Sequence, residues 1–240
     1  MQKGVYRGTV TKMRRTTLCL FLALVLSSTA ALTSGEADAL APGALPRRVA
    51  PFVVSRVPTK DPVVFVTIDD GFHRTAGTEA LIDKYRWPVT SFVLPKTLGG
   101  TKTTWFESLG PQSVFGNHTI THRNLRGLSL KTQQREICGA TKKLDALVGP
   151  HTSYFRPPFG SYDETTIKAA RACGMTHLVM WRATLYGRDL RTWGGPVRAG
   201  DVILLHYIQS LPESLRYLKS ELARLNLRVA SLPEYLGDAE

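Results

Sequence analysis

Two hydrophobic patterns alternate along most of this 240-residue chain. Short, nearly continuous runs of β-branched and aromatic residues give way to stretches in which apolar residues recur every three or four positions. The first pattern belongs to strands buried on both faces, the second to amphipathic helices. Together they predict strands at 63–68, 87–94, 113–116, 154–156, 177–181, 202–206 and 227–232. Helices are predicted at about 77–85, 103–109, 129–148, 163–173 and 213–224. Ser129 and Asp163 stand where N-caps are expected, and Gly149-Pro150 and Gly174 where helices stop. Strands and helices that alternate with short links imply a mostly parallel sheet or a (β/α) barrel, in one α/β domain.

The pattern changes before residue 62. A basic stretch ending in Met13-Arg14-Arg15 precedes the apolar run Leu18 to Leu26, then the small residues Ser27 to Ala31. That order is the one of a secretory signal peptide, and the run is short for a spanning helix. We expect residues 1–39 to be a signal peptide or, failing cleavage, an N-terminal anchor. Ala37-Asp38-Ala39 offers a cleavage site, with Thr29-Ala30-Ala31 as the nearer alternative. Residues 40–61 are rich in proline and read as a linker, which leaves 62–240 as the catalytic domain.

Composition adds a basic balance to this picture. The formal net charge is +12, and +9 remains without residues 1–39. A basic surface suits polyanions, but no Lys/Arg cluster with interleaved aromatics appears, so no nucleic-acid partner is expected. Cys138 and Cys173 both fall in predicted helices. Two buried thiols are expected rather than a bridge, although an exported chain would permit one.

Reactive side chains gather where strands end. Val63 to Ile68 runs directly into Asp69-Asp70-Gly71, so a buried strand delivers two carboxylates to the rim of a sheet. His118 and His122, spaced i, i+4 after the next but one strand, would share one face of a helical turn and reach one cation. With one carboxylate from another strand they make a three-ligand set with room for water, the arrangement that holds a catalytic zinc. Arg156 precedes Pro157-Pro158-Phe159-Gly160, in which two prolines hold the backbone extended. The apolar strand 202–206 ends on a single His206.

With these four stretches in order, the sequence resembles the polysaccharide deacetylases, the NodB-type carbohydrate esterases. The matching segments are Thr67-Ile68-Asp69-Asp70-Gly71, His118-Thr119-Ile120-Thr121-His122, Arg156-Pro157-Pro158-Phe159-Gly160 and Leu204-Leu205-His206, over about residues 61–235. The resemblance implies a deformed (β/α) barrel that uses a divalent metal, usually Zn2+, to hydrolyse acetyl groups on sugars. Asp70, His118 and His122 would be the metal ligands. Asp69 would be the base that takes a proton from the metal-activated water, and Arg156 would pair with it. The backbone N–H of Phe159 would face the oxyanion. His206 would protonate the leaving amine, or the leaving alkoxide of an ester.

This chain departs from the family pattern in the acid half of the site. Many members carry an Asp followed by Trp in a motif before the last, and that Asp supports the histidine. Here the region reads Val179-Met180-Trp181-Arg182-Ala183-Thr184-Leu185-Tyr186-Gly187-Arg188-Asp189-Leu190, with Asp189 the nearest candidate. Tyr207 stands where an Asp commonly follows the last histidine, Ile68 replaces Phe, and Phe72 replaces Pro. The expectation is an exported, monomeric deacetylase of an N-acetylated cell-wall or chitin-like polysaccharide. It would meet the membrane only through an uncleaved N-terminal segment. The alternatives are an O-acetyl esterase of the xylan type and a glycan-binding relative without turnover. Trp105, Trp181 and Trp193 near strand ends suit a polymer, and 95–104 and 186–197 are the loops expected to choose it.

Overall fold

The computed structural model describes residues 52–110, 113–149 and 153–237. The expected signal peptide and its cleavage sites lie outside the described residues. Ten strands were found among them: β1 Val53–Val54, β2 Val63–Asp70, β3 Thr90–Val93, β4 Val114–Asn117, β5 Tyr154–Phe155, β6 His177–Val179, β7 Ala183–Tyr186, β8 Asp189–Thr192, β9 Val202–His206 and β10 Arg228–Val229. The helices are α1 Thr78–Tyr85, α2 Thr101–Glu107, α3 Leu130–Val148, α4 Glu164–Ala172, α5 Leu211–Arg224 and α6 Leu232–Leu236.

The strands lie in the order β1-β6-β5-β4-β3-β2-β9-β7-β8, with β10 beside the start of β2. Every pair is parallel except β7 with β8. The sheet curls into a deformed (β/α) barrel of one domain, as expected. Along β2, side chains alternate between two cores as a strand requires. Val64, Val66 and Ile68 pack outward with Ile82 of α1 and Leu215, Leu218 and Leu222 of α5. Val63 and Phe65 pack on the other face with Phe92, Tyr154, Val179 and Val202 from neighbouring strands. Because all the strands near β2 run the same way, their carboxyl ends open on one rim, where such folds keep their sites.

The helix boundaries follow their caps. Ser129 accepts from the Thr132 N–H at the start of α3, and Asp163 forms a capping box with Thr166 at the start of α4. Four features differ from the sequence reading. Val53–Val54, in the stretch read as linker, pairs with β6 and extends the sheet. Beyond it, Arg56 bridges to Asp201 and the Val57 N–H donates to the Gly200 carbonyl at 2.8 Å. The fold therefore reaches back ahead of residue 62. The last strand shrinks to Arg228–Val229, because Pro233 in the first turn of α6 favours a helix there. Third, β7 and β8 form an antiparallel hairpin where a loop was expected. Fourth, Cys138 and Cys173 form a disulfide that joins α3 to α4 with their Cα atoms 4.8 Å apart, which corrects the expectation of two thiols. Helical spacing along one chain could not show that α3 and α4 pack with those two positions facing each other. Among the described residues no helix is long and apolar enough to cross a membrane.

Candidate active site

The carboxyl ends of β2, β4 and β9, the turn after β5 and the β7–β8 hairpin enclose a cavity of about 460 Å³. Asp69, Asp70, His118, His122, Phe159 and His206 all line it, together with Trp181, Tyr186, Arg191 and Trp193. Consecutive residues of a strand point to opposite faces, so Asp69 and Asp70 should separate. They do not, because Asp70 has a φ of 78° and Gly71 after it a φ of 87°. The left-handed turn brings the second carboxylate back to the rim beside the first. Gly71 is required on two counts, its φ and its surroundings, since a Cβ there would stand 2.6 Å from Thr97 Oγ1.

The histidine segment is not the helical turn that its spacing suggested. Thr119 and His122 have φ values of 70° and 62°, and β4 ends in an irregular loop. Local hydrogen bonds from polar side chains replace the helical ones. Asn117 Oδ1 accepts from the Thr119 N–H at 2.8 Å, and Thr119 Oγ1 from the His122 N–H at 3.0 Å. From α3, Glu136 accepts from the Thr121 N–H at 3.0 Å and from its hydroxyl at 2.9 Å. Four of the six described non-glycine residues with positive φ (Asp70, Thr119, His122 and Phe159) belong to this one site. Strain of that kind persists only where the surrounding structure holds it.

The donor set fits a divalent cation. His118 Nδ1 lies 2.8 Å from the Arg156 carbonyl. A carbonyl can only accept, so Nδ1 carries the proton and Nε2 turns a lone pair to the cavity. Asp70 Oδ1 stands 3.5 Å from His118 Nε2 and 3.2 Å from His122 Nε2. Ligands bonded at ~2.0–2.2 Å to a tetrahedral zinc stand roughly 3.3–3.6 Å apart, so Asp70 already has the spacing of a ligand to both imidazoles. Its Oδ1 is buried without a hydrogen-bond donor, as expected of an oxygen that awaits a cation. Burial would raise the Asp70 carboxyl, but in the cation-free site His118 and His122, when protonated, outweigh it and hold it below the ordinary carboxylate range, the part that a bound cation would take over.

Arg156 lies beneath the cavity with no exposed surface. Its Nη1 donates to Asp69 Oδ1 at 2.7 Å and to Thr67 Oγ1 at 2.9 Å, and its Nε donates to the Val179 carbonyl at 2.8 Å. The guanidinium lies over the Phe92 ring, 4.2 Å from its centre. Burial lowers its pKa while the Asp69 charge raises it, and a guanidinium has ample margin to stay charged. Asp69 is thus fixed through one oxygen, and its other, Oδ2, lies 3.8 Å from His118 Nε2 at the cavity.

Phe159 occupies the 3-10 turn Pro158–Gly160 with a φ of 61°, and its ring meets His122 edge-on at 4.8 Å. His206 pairs in register with Asp69 across β2 and β9. Burial pulls its pKa down, and Asp69 and Asp70 oppose that pull in part. Asp189 is not its support. That carboxylate pairs with Arg191 at 2.7 Å on the exposed hairpin. The neighbour of His206 is Tyr186, stacked on it at 5.1 Å between ring centres. The sequence reading missed Tyr186. The signal was there, in two alternating runs around Gly187-Arg188, with Gly187 at a φ of 58° in the first position of a two-residue hairpin loop. Of the three tryptophans, Trp181 and Trp193 line the cavity. Trp105 packs on Phe106 and on Tyr207, the residue after His206. The Tyr207 hydroxyl lies 2.6 Å from Ser91 Oγ in the core, away from the rim.

Fold and site together define a mostly parallel barrel with a His₂Asp donor set that could hold a cation, beside a buried Asp–Arg pair. The polysaccharide deacetylase family model matches residues 56–178, and the chain belongs to that family. The match contains Asp69, Asp70, His118, His122, Arg156 and Phe159 and stops short of His206. An uncharacterized protein of Streptomyces coelicolor is 39% identical over 198 residues, 79% of each chain. Other curated relatives are matched over only 22% to 42% of their own length. Among solved structures, the peptidoglycan N-acetylglucosamine deacetylase Bc1960 superposes with a TM-score of 0.66 at 21% identity, over 78% of this chain and 94% of its own. A family pseudoenzyme from Bacillus anthracis, BA3943, superposes with a TM-score of 0.63 at 20% identity, over 79% of this chain and 70% of its own. Likenesses at these identities show the fold alone.

Proposed function

We propose that this protein is an exported metal-dependent hydrolase that removes N-acetyl groups from an N-acetylated cell-wall or chitin-like polysaccharide. One observation carries the reading. Asp69 is buried, fixed through one oxygen by Arg156, and has the other at the cavity beside three cation donors. Holding a glycan needs no such carboxylate, whereas hydrolysis of an acetyl group needs a base near the attacking water.

Asp70, His118 and His122 would hold the cation, and an open His₂Asp set is a zinc donor set. When bound, such a cation supplies Lewis acidity for the attacking water and the acetyl carbonyl. Asp69 accepts the proton of the attacking water, while Arg156 keeps its carboxylate in place. The Phe159 N–H donates to the oxyanion that develops on the acetyl group. His206, across the cavity, gives a proton to the departing nitrogen. Trp181 and Trp193 offer faces for sugar rings, and the basic net charge favours an anionic envelope polymer.

Non-catalytic glycan binding remains the second reading, favoured by the His206 Nδ1, which has no partner among the described residues. The two readings separate in one assay. Acetate release is measured from N-acetylglucosamine oligomers and from acetylated xylan, with zinc, with chelator, and with Asp69→Asn. Zinc-dependent release from the oligomers that Asp69→Asn abolishes supports the proposal. Release from xylan alone makes the protein an O-acetyl esterase. Binding without release from either substrate refutes both enzyme readings.

A further inference from the structure

A histidine that delivers a proton must present one ring nitrogen to the leaving atom, and something must stop the ring from turning. The usual device is a hydrogen bond in the ring plane to the other nitrogen. His206 lacks it: its Nδ1 is buried and unpartnered among the described residues. Asp189 and Tyr207, the residues nearest the positions where the family pattern places a supporting acid, are committed elsewhere, to Arg191 and to Ser91.

The face of the ring is occupied instead. Tyr186 lies on His206 with an interplanar angle of 20°. Its hydroxyl is 3.5 Å from His206 Nε2, at the outer limit of a hydrogen bond, so the stack is the main contact. Tyr186 is itself held firmly. It ends β7 opposite Asp189, and the next N–H, of Gly187, donates to Ser214 Oγ of α5 at 2.8 Å. The hairpin is therefore pinned to the helix that packs behind the barrel.

We infer that Tyr186 is a positioning residue that orients His206 through ring stacking, in the place of an in-plane hydrogen-bond partner. The inference rests on the proton-donor role proposed for His206. It requires the tyrosine ring and not its hydroxyl. Tyr186→Phe should keep kcat within about threefold, because the stack survives. Tyr186→Ala should lower kcat on an N-acetylglucosamine oligomer roughly tenfold to a hundredfold, less than the full ~10²–10⁴ that a positioned proton donor supplies, with KM little changed. If Tyr186 acts only through His206, removing it from a His206→Ala background should cost less than about twofold more.

A stacking platform for sugar would behave otherwise: Tyr186→Ala would raise KM, and the loss would add to that of His206→Ala. Either result overturns the inference. A second measurement does not depend on turnover. In the metal-free protein, proton NMR should show the His206 ring protons shifted upfield by the tyrosine face. Tyr186→Ala should abolish that shift and Tyr186→Phe should preserve it. If Tyr186→Ala leaves the His206 signals in place, no stack exists in solution and the inference is wrong whatever the activity. If the shift behaves as expected but no acetate is released, the positioning contact stands and the deacetylase reading is the one that fails.

Discussion

Arg156 and Asp69 meet at 2.7 Å inside the barrel, and the guanidinium exposes none of its surface. The pair joins fold and chemistry, since Arg156 also bonds the β2 hydroxyl of Thr67 and the carbonyl of Val179 in β6. Removing the cation strands a buried carboxylate, and breaking a buried pair costs about 3–5 kcal/mol. Arg156→Ala should therefore lose that much stability in denaturant unfolding. Asp69→Asn keeps an acceptor oxygen for Arg156 but leaves its buried guanidinium without a counter-charge, so it should lose part of that ~3–5 kcal/mol yet still fold and bind zinc, while acetate release falls about 10²–10⁴-fold.

Zinc should raise the melting temperature of the metal-free protein. At a free concentration 100 times Kd the gain is about 2.7 kcal/mol. Asp70→Ala and His118→Ala should abolish the shift. Glu136 touches no cation but ties Thr121 of the histidine loop to α3 at 2.9 and 3.0 Å. Glu136→Ala should weaken zinc binding about 10–100-fold in a calorimetric titration, as losses behind a metal ligand do. An unchanged affinity would mean that the loop holds its shape without α3.

The Cys138–Cys173 bridge closes 35 residues of chain, across the β5 turn that carries Arg156 and Phe159. Loop-closure entropy assigns such a bridge roughly 4 kcal/mol. Cys138→Ser with Cys173→Ser should unfold at correspondingly lower denaturant, and dithiothreitol should shift the wild type to the same midpoint while leaving the double variant unmoved.

Asp163 supplies an acid-sensitive tie. The Gly127 N–H bonds its carboxylate at 2.8 Å, Thr166 adds two more hydrogen bonds, and together they outweigh burial to hold its pKa at about 2. A lowered folded pKa means that the contribution is complete above the unfolded value of 3.8 and fades as pH falls towards 2. Asp163→Ala should cost about 1 kcal/mol at pH 6, the usual loss of an N-cap. The gap from wild type in urea unfolding should narrow between pH 4 and about 2. A gap that does not change with pH would show that the cap works without its charge.

Much of the barrel was legible because its strands are buried on both faces and its helices carry their own caps. Ser129 and Asp163 mark the starts of α3 and α4 where they were expected. Short and half-exposed elements were not. Val53–Val54 has only two residues and gains its pairing from β6, more than a hundred positions away. The β7–β8 hairpin alternates, with Asp189, Arg191 and Thr192 exposed, so its only mark was the alternation around Gly187-Arg188, which a search for apolar runs passes over.

For this protein the sequence by itself determined which side chains meet at the candidate site. Asp69, Asp70, His118, His122, Arg156, Phe159 and His206 stand at ends of buried apolar runs, and parallel strands bring such ends to one rim. Their arrangement was decided only in three dimensions. The spacing of His118 and His122 suggested a helical turn, yet the loop is held by Asn117 and Glu136 in left-handed conformations that spacing cannot encode. Adjacent Asp69 and Asp70 reach one cavity only because φ turns positive at Asp70. The support of His206 is likewise tertiary. Asp189, three residues from Tyr186, turns to Arg191 along its own strand, and the ring of Tyr186 takes the place beside the histidine.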